Sequence, residues 1–162
     1  MAKIVHQIPN LGDNKLLVLY QNALRLISKA PNNDAEEVIS AVQAEWLKRL
    51  QLAEKSAYKA ETPRVGMLGT LGYSVGESGV NTKRRRVILD KVFTGELPIV
   101  GSPAYTLEWG HPSSKTRYIK LHRTLQALIN GGKTRDDRDM AKAIIEWSED
   151  LEYIERTYAN LR

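Results

Sequence analysis

A mainly α-helical fold with little β structure is what this 162-residue sequence predicts. Three observations predict it. Apolar residues recur at helical spacing in several separate segments, cap-forming residues stand at the heads of most of them, and a strict four-three alternation runs from Met140 to Leu161. The expected organisation is an N-terminal helical hairpin over residues 1–62. A basic helical module over 63–162 follows, closed by a long C-terminal heptad helix.

The first helix is expected within "LGDNKLLVLYQNALRLISKAPNN", where Leu16, Tyr20, Ala23 and Ile27 share a face, Asp13 or Asn14 caps the start and Pro31 lies beyond the end. The second opens with Asp34 and Glu37 as a capping-box variant and places Ile39, Val42, Trp46, Leu50, Ala53 and Ala57 on one stripe. Aromatic residues on an apolar stripe belong to the core far more often than to a ligand site, so Tyr20 and Trp46 are read as packing.

Pro63 marks the boundary. Glycines 66, 69, 72, 76 and 79 then disfavour a long helix and suggest turns, with a short strand near Leu71–Val75. A helix resumes at Asn81 or Thr82, buries Ile88, Leu89, Val92 and Phe93, and ends near Thr94-Gly95. The proline-rich "ELPIVGSPAYTLEWGHP" is expected to be an irregular linker packed through Tyr105, Leu107 and Trp109. A further helix runs from a Ser113 or Ser114 cap to Gly131-Gly132 with Tyr118, Leu121, Leu125 and Leu128 inward. The last starts at Thr134, has Asp136, Asp137 and Asp139 in its first turn, and carries the seam Met140, Ile144, Trp147, Leu151, Ile154, Tyr158 and Leu161. That seam suits packing within the chain, or against a second copy or a protein partner.

The chain has no cysteine, which removes disulfides, thiol nucleophiles and thiolate metal sites and fits a reducing compartment. Its amino end lacks the apolar run of a signal peptide, and no stretch approaches the roughly 20 apolar residues needed to span a bilayer. A cytoplasmic protein with no membrane partner is the expectation. Net charge is +5, but unevenly placed: residues 1–63 carry +1, residues 64–134 carry +7 and residues 135–162 carry −3. A segregated basic segment reads as a footprint for a polyanion.

Within that segment Lys83, Arg84, Arg85 and Arg86 stand in the first turn of a helix, where the backbone dipole favours acids. Lys115 and Arg117 repeat the anomaly at the head of the next long helix, with Thr116, Lys120 and Arg123 opposite its apolar stripe. Cations placed against their own dipole suggest negative charge supplied from outside. The expected function is therefore non-enzymatic binding of nucleic acid, DNA first, with these eight cations on phosphates across a shared surface. The competing account has the arginines solvated and paired with Glu77, Asp90 or Glu96. Arg85 continues the apolar face, so its stem is expected to pack.

Other motifs carry less. No phosphate-binding P-loop is present, and the two G-x-x-G runs lack the helix and strand context of an RNA-clamping KH loop. "GESG" could form a small anion nest. Glu108, His111 and His122 could approach one another as an acid–base group or weak metal site, yet no metal-ligand spacing occurs, so no cofactor or metal is expected. Glu146, Glu149, Asp150, Glu152 and Glu155 are read as the solvated side of the last helix, helped by a Lys142–Glu146 pair. The series "LGYSVG", "RRRVILDKVFTGELP", "YTLEWGHPSSKTRYIKL" and "WSEDLEYIERTY" resembles small uncharacterised bacterial proteins sharing a G-Y-x-V-G, arginine-helix and E-W-G order over residues 64–158. The resemblance implies a bacterial or phage origin and a discrete C-terminal module, and assigns no functional residue.

Overall fold

Capping side chains decide where the helices begin. In the computed structural model, which describes residues 2–55, 60, 63–134, 140–158 and 160, the protein is mainly α-helical, with no strand among the described residues. The order is α1 (Ala2–Val5), a 3-10 turn (Ile8–Asn10), α2 (Asp13–Ile27), α3 (Asn33–Glu54), α4 (Met67–Thr70), α5 (Thr82–Thr94), α6 (Pro103–Leu107), α7 (Lys115–Lys133) and α8 (Met140–Thr157). Asn32, Asn81, Ser102 and Ser114 each accept from the amide three residues on, satisfying a donor that the helix itself leaves unpaired. Where a strand was expected, Met67–Thr70 forms the single turn α4 instead, and Gly72 and Gly76 take left-handed backbone at φ 86° and 85°.

The chain forms two compact units. Met1–Arg64 makes the first together with Pro98–Glu108; Val65–Leu97 and Trp109–Arg162 make the second. The segment Pro98–Glu108, expected within the basic module, thus belongs with the hairpin.

In the first unit α2 packs along α3 around Ile8, Leu16, Ala23, Ala35, Val38, Val42, Trp46 and Ile99. Tyr20 lies against Trp46 with ring centroids 4.9 Å apart, so both are packing residues as expected. Two of the expected caps are displaced. Asp13 is the first helical residue and accepts from Arg49 Nη1 at 2.6 Å, while Asn32, not Asp34, caps α3. The same guanidinium donates to Glu45 at 2.8 Å and to the Leu11 carbonyl at 2.7 Å, fastening the entry of α2 to α3. The expected irregular linker contains α6, which lies on α3, and Thr106 Oγ1 bridges the Pro98 carbonyl and the Val100 amide. Ala57 of the expected α3 stripe lies outside the described residues.

In the second unit α7 and α8 are antiparallel neighbours: Gly132, near the end of α7, faces Ile144 and Trp147 near the start of α8, and His122 meets Glu155. A Cβ on Gly132 would stand 3.0 Å from both Ile144 and Trp147, so the close approach requires glycine. α5 runs along α8 in the same direction. Arg85 reaches Glu146 and Asp150, Asp90 accepts from Tyr153 and Tyr158, and the Phe93 ring lies on Tyr158 with centroids 3.8 Å apart. The tail of α5 thereby meets the head of α7, where the Ser113 amide donates to the Phe93 carbonyl at 2.8 Å.

Three expectations change here. The heptad seam is consumed inside the unit: Trp147 and Ile154 are buried, Met140, Ile144, Leu151 and Tyr158 half-buried, so it is not left open for a second copy or a protein partner. Leu161 lies outside the described residues, as do Asp136, Asp137 and Asp139. α7 continues through both glycines and ends on Thr134, whose amide donates to the Asn130 carbonyl; that residue closes α7 and does not cap α8. Ile129 is buried in the place expected of Leu128, which is half-buried.

Candidate nucleic-acid interface

Arg85 is the first residue to resolve. Its side chain is 1% exposed. Nε donates to Asp150 Oδ2 at 2.6 Å, Nη1 to the Val80 carbonyl at 3.1 Å and Nη2 to Thr82 Oγ1 at 3.3 Å, with Glu146 3.1 Å and Glu149 3.8 Å away. Asp150, 0% exposed, also accepts from the Tyr73 hydroxyl at 2.7 Å. The residue expected on phosphate is therefore held by the acids of α8, and Asp150 and Glu146, expected in solvent, are its counter-charges. Burial opposes the charged guanidinium, but the hydrogen bond and charge of Asp150, with Glu146 beside it, hold its pKa above the ordinary value. The same carboxylates and burial push the Tyr73 phenol well up.

Arg117 is likewise inside, 2% exposed. It has no close carboxylate. Nε donates to the Trp109 carbonyl at 2.8 Å, Nη1 to Val92 at 2.6 Å and Gly95 at 3.1 Å, and Nη2 to Gly110 at 2.5 Å. It therefore caps the carbonyl end of α5, where the dipole favours a cation. Burial pulls its pKa down to about 10, with the charge of Glu96 opposing, so it stays protonated near neutrality. Gly110 makes the turn possible, at φ 69° and with its missing Cβ where Thr116 stands.

The remaining cations divide by position. Lys83 and Arg84 are exposed at the head of α5, and Arg86 is half-buried with its guanidinium 4.7 Å from the centre of the Tyr153 ring. Lys115 and Arg123 are exposed and Lys120 half-exposed on α7. Since α7 begins at the tail of α5, the two helix heads stand about 20 Å apart along α5 and do not form the single surface expected of them. None of Glu77, Asp90 and Glu96 takes the expected arginine: Glu77 pairs with Lys142 at 3.5 Å, and Asp90 accepts two tyrosine hydroxyls.

What remains continuous is the solvent side of α7. The helix has no Asp or Glu in its 19 residues, and Lys115, Lys120, Arg123 and Lys133 lie off its buried stripe with Gln126 and Asn130. At one edge of this face an open cavity of about 300 Å³ is lined by Tyr118, Ile119, His122, Arg123 and, from α8, Glu155. His122 Nε2 and Glu155 Oε1 are 2.9 Å apart. Sequence reading named His122 and Arg123 but missed Glu155 as their neighbour. Counting equal steps outward from the turn of an α7–α8 hairpin would have reached it.

The other candidates dissolve. The Gly76 amide donates to Glu146 and the Gly79 amide to Gly76, so the "GESG" amides are engaged internally. Glu108 belongs to the first unit, His111 is exposed with its carbonyl accepting from Ser114, and His122 takes Glu155 instead. Among the described residues no group of His, Asp and Glu is placed to hold a metal, and no helix is long and apolar enough to cross a membrane. No protein family, curated protein or solved structure matches the chain.

Proposed function

We propose that this protein binds nucleic acid, DNA first, without acting as an enzyme on it. Phosphates lie along the solvent side of α7 on Lys115, Lys120, Arg123 and Lys133, and Lys83 and Arg84 form a second, separate contact. The observation that carries this reading is a helix about 28 Å long whose outer side bears four cations and no carboxylate. Neutralised phosphates release counterions, which makes such a face attractive to a polyanion and sensitive to salt. Arg85 and Arg117 leave the phosphate-contacting set, because every direction in which they donate is already taken inside the fold.

Fluorescence anisotropy with random duplex, single-stranded DNA and RNA at two salt concentrations tests it. Four contacts predict a slope of about −3 to −4 in log affinity against log salt on duplex. Changing Lys120 and Arg123 together to Glu should abolish binding while the melting temperature holds. No detectable complex with any of the three at low salt would end the reading.

A further inference from the structure

The cavity beside the basic face has a composition that a phosphate face alone does not need. Tyr118, Ile119, His122 and Arg123 follow one another on adjacent turns of α7, and Glu155 closes the far wall from α8. The rings of Tyr118 and His122 lie 5.9 Å apart at 49°, giving an aromatic wall. A carboxylate only accepts hydrogen bonds, so Glu155 takes the Nε2 proton of His122 and brings an acceptor to the opposite side. The volume of about 300 Å³ is at the small end for ligand sites, which suits one nucleobase with its sugar. Arg123 belongs both to this wall and to the outer cationic face, so a chain whose phosphate sits on Arg123 carries its base to the cavity mouth.

We infer that the cavity receives one unpaired, amino-bearing nucleobase, adenine, cytosine or guanine, from a single strand, stacked along His122 and Tyr118 with its exocyclic amino group donating to Glu155. Single strands are favoured because their bases can splay onto aromatic side chains, whereas a duplex base must first leave its stack. Thymine and uracil are disfavoured because they turn carbonyl oxygens toward the carboxylate. This rests on the phosphate-binding reading of α7 and adds which strand and which bases it takes.

Anisotropy titrations of the full-length protein with oligo-dA, oligo-dC and oligo-dT of equal length, and with a mixed duplex, test it. Oligo-dA and oligo-dC should bind about fivefold or more tightly than oligo-dT, as expected of a directed base contact. Glu155→Gln should shrink that ratio to about twofold or less. Ile119→Trp, which fills the cavity without altering charge, should remove the preference and keep the salt slope. Circular dichroism melts confirm that each variant is folded. Equal binding of oligo-dT and oligo-dC, or a preference unchanged by both variants, would overturn the cavity assignment while the salt-dependent face stands. Failure of every oligonucleotide to bind at low salt would remove the face and the cavity together.

Discussion

The heads of α5 and α7 pose the same electrostatic problem and solve it differently. Each begins with an oxygen-bearing cap, Asn81 or Ser114, and each has cations where its own dipole is positive. At α5 the buried Arg85 is neutralised by the side-chain acids Asp150 and Glu146 of a neighbouring helix. At α7 the buried Arg117 is satisfied by backbone carbonyls, two of them at the negative end of α5. One arrangement depends on full charges and the other on partial ones. An arginine in an unfavourable first turn therefore need not signal an external anion, because the protein can supply the opposing charge from another element.

The comparison can be broken most strongly at Asp150. Asp150→Ala leaves Arg85 buried without its closest counter-charge and strips the Tyr73 hydroxyl of its acceptor, so unfolding free energy should fall by about 3–5 kcal/mol. The double change Arg85→Met with Asp150→Leu should recover much of that loss in urea denaturation. Arg117→Met removes donors from four carbonyls but strands no charge, and should cost less, about 2–3 kcal/mol. Equal losses at the two sites would show that full and partial charges are equivalent here.

Alkaline pH sharpens the same contrast, since only the Arg85 site includes a directly bonded tyrosine. Burial and the charge of Asp150 hold the Tyr73 phenol above its ordinary value of 10, and burial and Asp90 raise Tyr153 and Tyr158 likewise. A raised folded value means that the contribution is complete below pH 10 and is lost as pH climbs past it. Each such tyrosine steepens the fall by about 1.4 kcal/mol per pH unit. Tyr73→Phe should flatten the stability curve above pH 10 by one such increment, whereas Arg117→Met should leave its slope unchanged; denaturant midpoints across pH 8–11.5 would measure both.

The smallest effect is expected outside the two buried sites. Lys83→Glu and Arg84→Glu place acids where the α5 dipole favours them and where no buried network is touched, so the melting temperature should rise slightly, by up to about 1 kcal/mol of stability. A fall would mean that these exposed cations are as structural as Arg85.

Helical content and most boundaries were legible because they depend on local spacing and caps: Asn81, Ser114, Gly95 and the stripes of α2, α3, α5 and α8 all act within a few residues. What escaped is nonlocal. The stripe of α5 passes through Arg85, which pointed its stem inward, but the acids that receive it lie more than sixty residues away and sat on a side of α8 that a single helical wheel assigns to water. Charge totals misled for the same reason, since part of the +7 segment is neutralised by packing on the −3 segment. The cation at Arg123 was visible, whereas the Glu155 wall required the antiparallel register of α7 and α8.

The division of the chain also has a consequence for synthesis. The first unit is discontinuous, needing Pro98–Glu108 as well as Met1–Arg64, with Ile99 buried in its core and α6 against α3. On a ribosome the intervening residues 65–97 must be made before that piece exists. At about 5–20 residues per second the wait is on the order of 2–9 seconds, during which the nascent hairpin has an incomplete apolar face. The amino-terminal unit starts first and cannot finish before translation has passed well into the other.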